Sequence, residues 1–219
     1  MHYPDISDSS AIQITYQRLR DMIVKGDLQP GEKLKIEQLR KMLNTGASPI
    51  REALSLLTSD MLVERFDQRG FRAAPVSKSS FDEILMLRCT LEDMALRTSI
   101  EKASEDWEER LVLAHHHMSK LSRTGSSDFE NAHKTFHMLL LQNSELPTLL
   151  RYCEQLYDLN IRYRYLAAGG AGYENRCIAT EHKQIFEAAL DRDVESASKF
   201  LLAHYHRTGA YLISLMSGD

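Results

Sequence analysis

No stretch of this chain narrows its fold as much as Ser48 to Leu57, which reads S-P-I-R-E-A-L-S-L-L. Ser48 is a preferred N-cap, and Pro49 suits the first helical position, where a missing N–H has no intrahelical partner to lose. No helix breaker follows before the chain turns polar at Thr58 to Asp60. Ile50, Ala53, Leu54, Leu57 and Met61 recur at helical spacing, so they are expected to bury one face and leave Ser48, Arg51 and Ser55 on the other. Upstream, Ile36, Leu39 and Leu43 form an amphipathic pattern with Arg40 and Lys41 outside. The link Asn44-Thr45-Gly46-Ala47 is a short glycine-containing turn, which makes a helix-turn-helix. Downstream, Leu62 to Phe66 and Phe71 to Val76 are strand-like, and Asp67 to Gly70 between them is a turn in which Gly70 is free to take positive φ. A second helix of this kind, followed by a hairpin tipped by Arg69, suits the reading of a DNA duplex. Ser48, Arg51 and Ser55 would meet the groove, Arg40 and Lys41 the backbone, and Arg69 would reach from the wing.

Three motifs together carry a family resemblance: G-D-L-Q-P-G-E-K-L (Gly26 to Leu34), S-P-I-R-E-A-L (Ser48 to Leu54) and R-G-F-R (Arg69 to Arg72). Over about residues 11 to 76 the chain resembles the winged helix of the GntR family of bacterial transcription regulators. One departure stands out. The family usually has Ser-Arg-Thr-Pro leading into this helix, whereas here the residues are Gly46-Ala47-Ser48-Pro49, so the expected arginine is replaced by Ala47.

The chain has 219 residues and a formal charge of −4, which argues weakly against nucleic acid until it is counted by segment. Residues 11–78 carry 12 Lys and Arg against 8 Asp and Glu, whereas residues 79–219 carry 15 against 21. A mildly basic head on an acidic body fits a DNA-binding module joined to something that does not touch DNA. Cys89, Cys153 and Cys177 are odd in number and widely spaced, so neither a disulfide framework nor a C-x-x-C motif is expected. No run approaches the roughly 18 apolar residues of a membrane span. The N-terminus also lacks the basic-then-apolar pattern of a secretory signal, so a cytoplasmic protein is expected.

Taken in order, residues 1–10 read as a loose arm. A helix is expected from Ala11, with Ile12, Tyr16, Leu19 and Ile23 on one face, to Gly26. Residues 77–80, Ser-Lys-Ser-Ser, read as a linker between a DNA-binding domain at 11–76 and a second domain at 81–219. From Phe81 onward only helical periodicity is found, in six stretches at about 79–102, 104–123, 127–143, 147–167, 173–191 and 193–217. Breaks fall at Gly125-Ser126, Leu146-Pro147, Gly169 to Gly172 and Asp191 to Asp193. The expected fold is therefore mostly α: an N-terminal winged helix-turn-helix with a two-stranded wing, then an all-α antiparallel helical bundle.

Four histidines of the body fall on inward faces. His133 and His137 share a face with Phe129, Phe136 and Leu140; His182 lies in line with Ile178, Ile185 and Ala189; His204 lies in line with Ala197, Leu201 and Thr208. Imidazoles converging in an apolar surround suit a divalent metal, Zn or Ni above others, although a single inward histidine is more often a hydrogen-bonded core residue. Consecutive His115, His116 and His117 fan around their helix, and His206 points away from His204, so these are set aside. Arg88 falls in the inward stripe Phe81, Ile84, Arg88, Leu91, Ala95, where an anion must meet it; Glu92 one turn on and a ligand carboxylate are the two alternatives. Asn160, Arg162 and Arg164, in N-I-R-Y-R-Y, are further candidates for polar contacts to an effector, although all three cannot face one pocket.

The body resembles the FCD effector domain of one GntR subfamily, where F-H, E-H and a late histidine line a metal site. Here these are Phe136-His137, Glu181-His182 and His204, and His133 stands where the subfamily most often has aspartate. The resemblance implies a homodimeric regulator, a repressor by expectation, on an inverted-repeat operator. Its effector would be a small organic acid, dicarboxylates included, held beside the metal by Arg88. The wider pattern, including H-K-T-F-H and I-R-Y-R-Y, resembles regulators of dicarboxylate and amino-acid catabolism related to the carbon-starvation regulator. Two rivals use the same histidines: a metalloenzyme with a winged-helix docking module, and a regulator for which the metal itself is the signal. The enzyme rival lacks a G-x-G-x-x-G, a P-loop, a nucleophile elbow and an evident general base.

Overall fold

Among the described residues, the long stretches in which apolar residues recur every three or four positions are helical. The computed structural model describes residues 6–67, 69–121, 127–166 and 177–216, and among these are nine helices and three short strands. The chain divides into two compact units, Met1–Ser77 with Ile161–Leu166, and Lys78–Asn160 with Ala167–Asp219.

In the first unit, α1 (Ile6–Lys25) packs on α3 (Ala47–Ser59), and α2 (Ile36–Leu43) packs on α3 from another side. Ile50, Ala53, Leu54 and Leu57 of α3 are fully buried, as their spacing requires, together with Leu19 and Ile23 of α1 and Leu39 of α2. Asn44, in the left-handed region, closes α2 and turns the chain toward α3. Three details differ from expectation. Helix α1 begins at Ile6, five residues ahead of Ala11. Helix α3 begins at Ala47 with Gly46 as N-cap, so Ser48 caps nothing and instead donates its hydroxyl to Glu52 Oε1 at 2.9 Å. Pro49 is tolerated in that first turn because its N–H would have no intrahelical acceptor. Met61 lies beyond the end of α3, at a φ of 61°, and is exposed rather than buried.

The wing is a three-stranded antiparallel sheet in the order β1-β3-β2, formed by β1 (Lys33–Leu34), β2 (Val63–Phe66) and β3 (Gly70–Ala73). Its register pairs Lys33 with Arg72 and Val63 with Ala73. Two-residue β1 is too short to show an alternating pattern and was absent from the sequence reading. Gly70 takes the positive φ its turn requires, 85°.

The second unit comprises α4 (Lys78–Glu101), α5 (Glu105–Lys120), α6 (Ser127–Gln142), α7 (Pro147–Leu166, whose last turns group with the first unit), α8 (Ile178–Leu190) and α9 (Val194–Met216). Lys78 to Ser80, read as linker, form the first turn of α4. The expected breaks at Gly125-Ser126 and Gly169 to Gly172, and the expected helix start at 173, lie outside the described residues. Helix α4 packs on α6 and α9, α8 on α9, and α5 on α6 and α8. Their shared core includes Leu96, Trp107, Leu111, Phe136, Leu140, Ile185, Leu201 and Tyr205. Ser104 caps α5 by accepting the Trp107 backbone N–H, while the Trp107 indole N–H donates to the Leu139 carbonyl at 2.7 Å. Trp107 is fully buried. Trp107→Ala is therefore expected to destabilise the helical unit by about 3–5 kcal/mol, read as a lower urea midpoint by circular dichroism.

Candidate metal centre and nucleic-acid interface

The first two turns of α3 expose Ser48, Arg51, Glu52 and Ser55 along one side, opposite the buried stripe. Ser55 is partly committed, since its hydroxyl donates to the Arg51 carbonyl at 3.0 Å. Arg40 is exposed on α2 and bonded to Glu37 at 3.0 Å, and Lys41 beside it is exposed. Arg69 is exposed at the wing turn. The structure adds basic groups that helical spacing did not mark. Lys35 stands at the start of α2, and Arg65 and Arg72 stand exposed on the wing strands. Arg72 also donates to the Gly31 carbonyl at 3.0 Å, bracing the segment before β1.

In the second unit His133 and His137 of α6, His182 of α8 and His204 of α9 come together, all buried. One ligand atom from each lies within 4.8 Å of the other three. The hydrogen-bond partners of these rings decide which nitrogen is available. His204 Nδ1 lies 2.7 Å from Glu181 Oε2, and a carboxylate only accepts, so Nδ1 carries the hydrogen and Nε2 keeps its lone pair. His137 Nδ1 lies 3.1 Å from the Tyr205 hydroxyl. That hydroxyl donates its own hydrogen to Glu92 Oε2, so its oxygen accepts from His137 Nδ1–H, and in the neutral ring the lone pair then sits on Nε2. Burial, with Glu92 adding to it, raises the Tyr205 pKa well above the ordinary phenol value and keeps the hydroxyl protonated as a donor. His133 Nδ1 pairs with the Tyr157 hydroxyl at 2.6 Å.

These residues fit an ion. Zn–N bonds of about 2.0–2.1 Å in a tetrahedral set place neighbouring nitrogens about 3.3 Å apart, and His137 Nε2 and His182 Nε2 stand 3.3 Å apart. The wider pairs close by a movement on the order of 1 Å, or match a higher coordination number. The histidines set aside on spacing lie outside this cluster. His116, His117 and His206 are exposed, and His115 stacks on Phe186 at 4.2 Å between ring centres.

Arg88 joins the centre through a buried network. Its Nε donates to Glu92 Oε1 at 2.6 Å, Nη2 to Glu92 Oε2 at 3.3 Å and Nη1 to Asn160 Oδ1 at 2.9 Å, and its guanidinium lies 4.3 Å from the centre of the Tyr205 ring. Burial works against the charged guanidinium, but Glu92 and Tyr205 more than offset it, and its pKa ends above the ordinary arginine value. The internal partner expected of Arg88 is thus Glu92. Asn160 reaches this network. Arg162 and Arg164 instead fall in Ile161–Leu166, which groups with the first unit. Arg162 is buried, with Nε and Nη2 finding no hydrogen-bond partner among the described residues, and burial lowers its pKa. Among the described residues Cys89, Cys153 and Cys177 form no disulfide with one another, and no described helix is long and apolar enough to cross a membrane.

Comparison with known proteins matches residues 12–72 to the bacterial regulatory proteins of the gntR family and residues 83–207 to the FCD domain. The chain belongs to the GntR family, in the branch that carries an FCD domain. It is 34% identical over 202 residues to the HTH-type transcriptional regulator BphR of Paraburkholderia xenovorans, covering 89% of this chain and 82% of that one. It is 29% identical over 197 residues to the HTH-type transcriptional repressor GlaR of Escherichia coli, covering 86% and 90%. In three dimensions it resembles E. coli McbR/YncC with a TM-score of 0.81 at 22% identity, over 93% of this chain and 97% of that one, which supports the fold. This GntR protein is a sequence-specific DNA-binding transcription regulator rather than an enzyme. Tyr205→Phe is expected to cost about 1–3 kcal/mol of stability, measured by urea unfolding, because it leaves His137 Nδ1–H without its acceptor.

Proposed function

We propose that this GntR regulator represses transcription as a homodimer on an inverted-repeat operator. A small organic acid, bound beside a divalent ion in the FCD unit, would release the DNA. The observation that carries this reading is the convergence of four buried imidazole donors one hydrogen-bonded residue, Tyr205, away from a buried arginine. His133, His137, His182 and His204 would hold the ion. Four nitrogen donors favour Zn or Ni over harder ions, and the bound metal would supply a Lewis-acidic anchor for a carboxylate.

Arg88 would meet the same acid. Three of its five N–H donors are used by Glu92 and Asn160, so a carboxylate has to share the guanidinium with Glu92 or displace it. A pocket of about 290 Å³ lined by His115, Met118, Phe129, Thr180, His182 and Lys183 opens beside the cluster. Arg88 is not among its described lining residues, so this pocket supports entry of a small acid, a dicarboxylate included, only from the His182 side of the cluster.

On DNA, Arg51 and Ser48 at the start of α3 would meet base edges, Ser55 would line the same side, Arg40 and Lys41 would position the backbone, and Arg69 would reach a groove from the wing. Two-fold symmetry would set the half-sites about one helical turn, roughly 34 Å, apart. The acid acts only if it binds more tightly to the form of the dimer that DNA does not select. The repressor name of GlaR, which this chain matches at 29% identity over 90% of GlaR's length, supports the sign of the effect.

A gel-shift titration against the upstream DNA at fixed salt, with succinate and a chelator added separately, tests the reading. Succinate is expected to dissolve the complex and chelation to blunt that response, whereas chelation that alone abolishes or creates binding would make the metal the signal. Arg51→Ala is expected to weaken operator binding about 10-fold, within the roughly 1–3 kcal/mol of a base-contacting arginine, with metal content unchanged. His137→Ala is expected to lower metal content and succinate response together, and His206→Ala to change neither.

A further inference from the structure

Glu181 precedes His182 in sequence, yet its carboxylate serves a different histidine. It is buried on α8 and reaches across to α9, where Oε2 accepts from His204 Nδ1 at 2.7 Å and Oε1 lies 3.4 Å from Arg207 Nη1. His204 and Arg207 are three residues apart, one turn of α9, so a single carboxylate is held at both ends on one helical face. Arg207 is more than half exposed.

We infer that Glu181 is a positioning residue for the metal centre, holding the His204 ring with Nε2 toward the ion. The inference rests on the metal reading above. Its physical basis is threefold. A carboxylate cannot donate, so it admits only the tautomer with hydrogen on Nδ1. A short bond on one side of the ring and the α9 backbone on the other leave the imidazole little freedom to turn. A carboxylate hydrogen-bonded to a ligating imidazole also raises that ring's basicity, and loss of such a partner typically costs 10–100-fold in metal affinity.

The charge argument points the same way. Four neutral imidazoles leave the full charge of a divalent ion uncompensated. Glu181 puts a carboxylate one ring away from the ion, while the other buried acid of the network, Glu92, is committed to Arg88. Glu181 also ties the two late ligands together, since it is bonded to His204 and covalently adjacent to His182.

The test uses the full-length protein stripped of metal, in native form and as Glu181→Ala and Glu181→Gln. Zn²⁺ affinity is measured by competition with a chromogenic chelator, the visible bands are recorded after loading with Co²⁺, and the melting of the metal-free forms is followed by circular dichroism. Glu181→Ala is expected to bind Zn²⁺ 10–100-fold more weakly, with altered Co²⁺ bands and a metal-free melting curve close to native. Glu181→Gln, which keeps an acceptor for Nδ1–H, is expected to recover much of the affinity and the native band positions. Native affinity and bands in Glu181→Ala would overturn the positioning role. So would a loss in both variants that tracks a fall in metal-free melting temperature, because that is the pattern of a merely structural residue. A native protein that takes up neither Zn²⁺ nor Co²⁺ overturns the metal reading and this inference with it, whereas native uptake with unaffected variants overturns this inference alone.

Discussion

Arg88 and Glu92 stand one turn apart on α4, both out of water, and neither could stay there charged without the other. The pair is satisfied from two further helices: Asn160 of α7 accepts from the guanidinium, and Tyr205 of α9 donates to the carboxylate. Tyr205 in turn accepts from His137 of α6. One buried ion pair therefore fixes the facing of four helices and, through Tyr205, the orientation of a histidine in the candidate metal centre. Removing one partner of such a pair typically costs about 3–5 kcal/mol, because a charge is left buried without compensation.

The candidate metal centre touches that pair through Tyr205 and His137. His137 is oriented by Tyr205, His133 by Tyr157 and His204 by Glu181, so three of the four rings are held by partners that are not themselves ligands. The Arg88 guanidinium also lies near both tyrosine rings, 5.2 Å from the centre of Tyr157 and 4.3 Å from that of Tyr205. A ligand that drew Arg88 away from Glu92 would disturb the groups that aim His133 and His137. That gives a physical route by which an acid and an ion would sense one another within the FCD unit, and such coupling is reciprocal by thermodynamic linkage.

Much of the fold was legible in the sequence because periodicity reports burial directly. Ile50, Ala53, Leu54 and Leu57 had to share one side of α3, and all four are buried. Inward spacing likewise placed His133, His137, His182 and His204 in the core. Excluding His116, His117 and His206 by the same reasoning agrees with their exposure. The misses have physical causes. Ser48 looked like a cap because residue type alone cannot say which of two cap-forming residues two positions apart leaves the helix first, and Gly46 does so. Met61 continued the apolar spacing past a helix that had already ended at Ser59. Strand β1 spans two residues, fewer than an alternation needs to show itself.

The sequence by itself determined the class of the protein: a basic winged helix-turn-helix ahead of an acidic helical body, with the P-I-R-E-A-L helix start and the spaced histidines that place it among GntR regulators with an FCD domain. These are local properties, set by periodicity, turn chemistry and motif spacing along one stretch of chain. Only the tertiary structure decided that Glu92 pairs with Arg88 inside the fold, that Glu181 serves His204 instead of its neighbour His182, and that Tyr205 points toward the candidate centre beside a histidine one residue away. Those choices join residues 4, 23 and 68 positions apart. They follow from which helix faces meet, and a periodic pattern says which side of a helix is buried without saying what it is buried against.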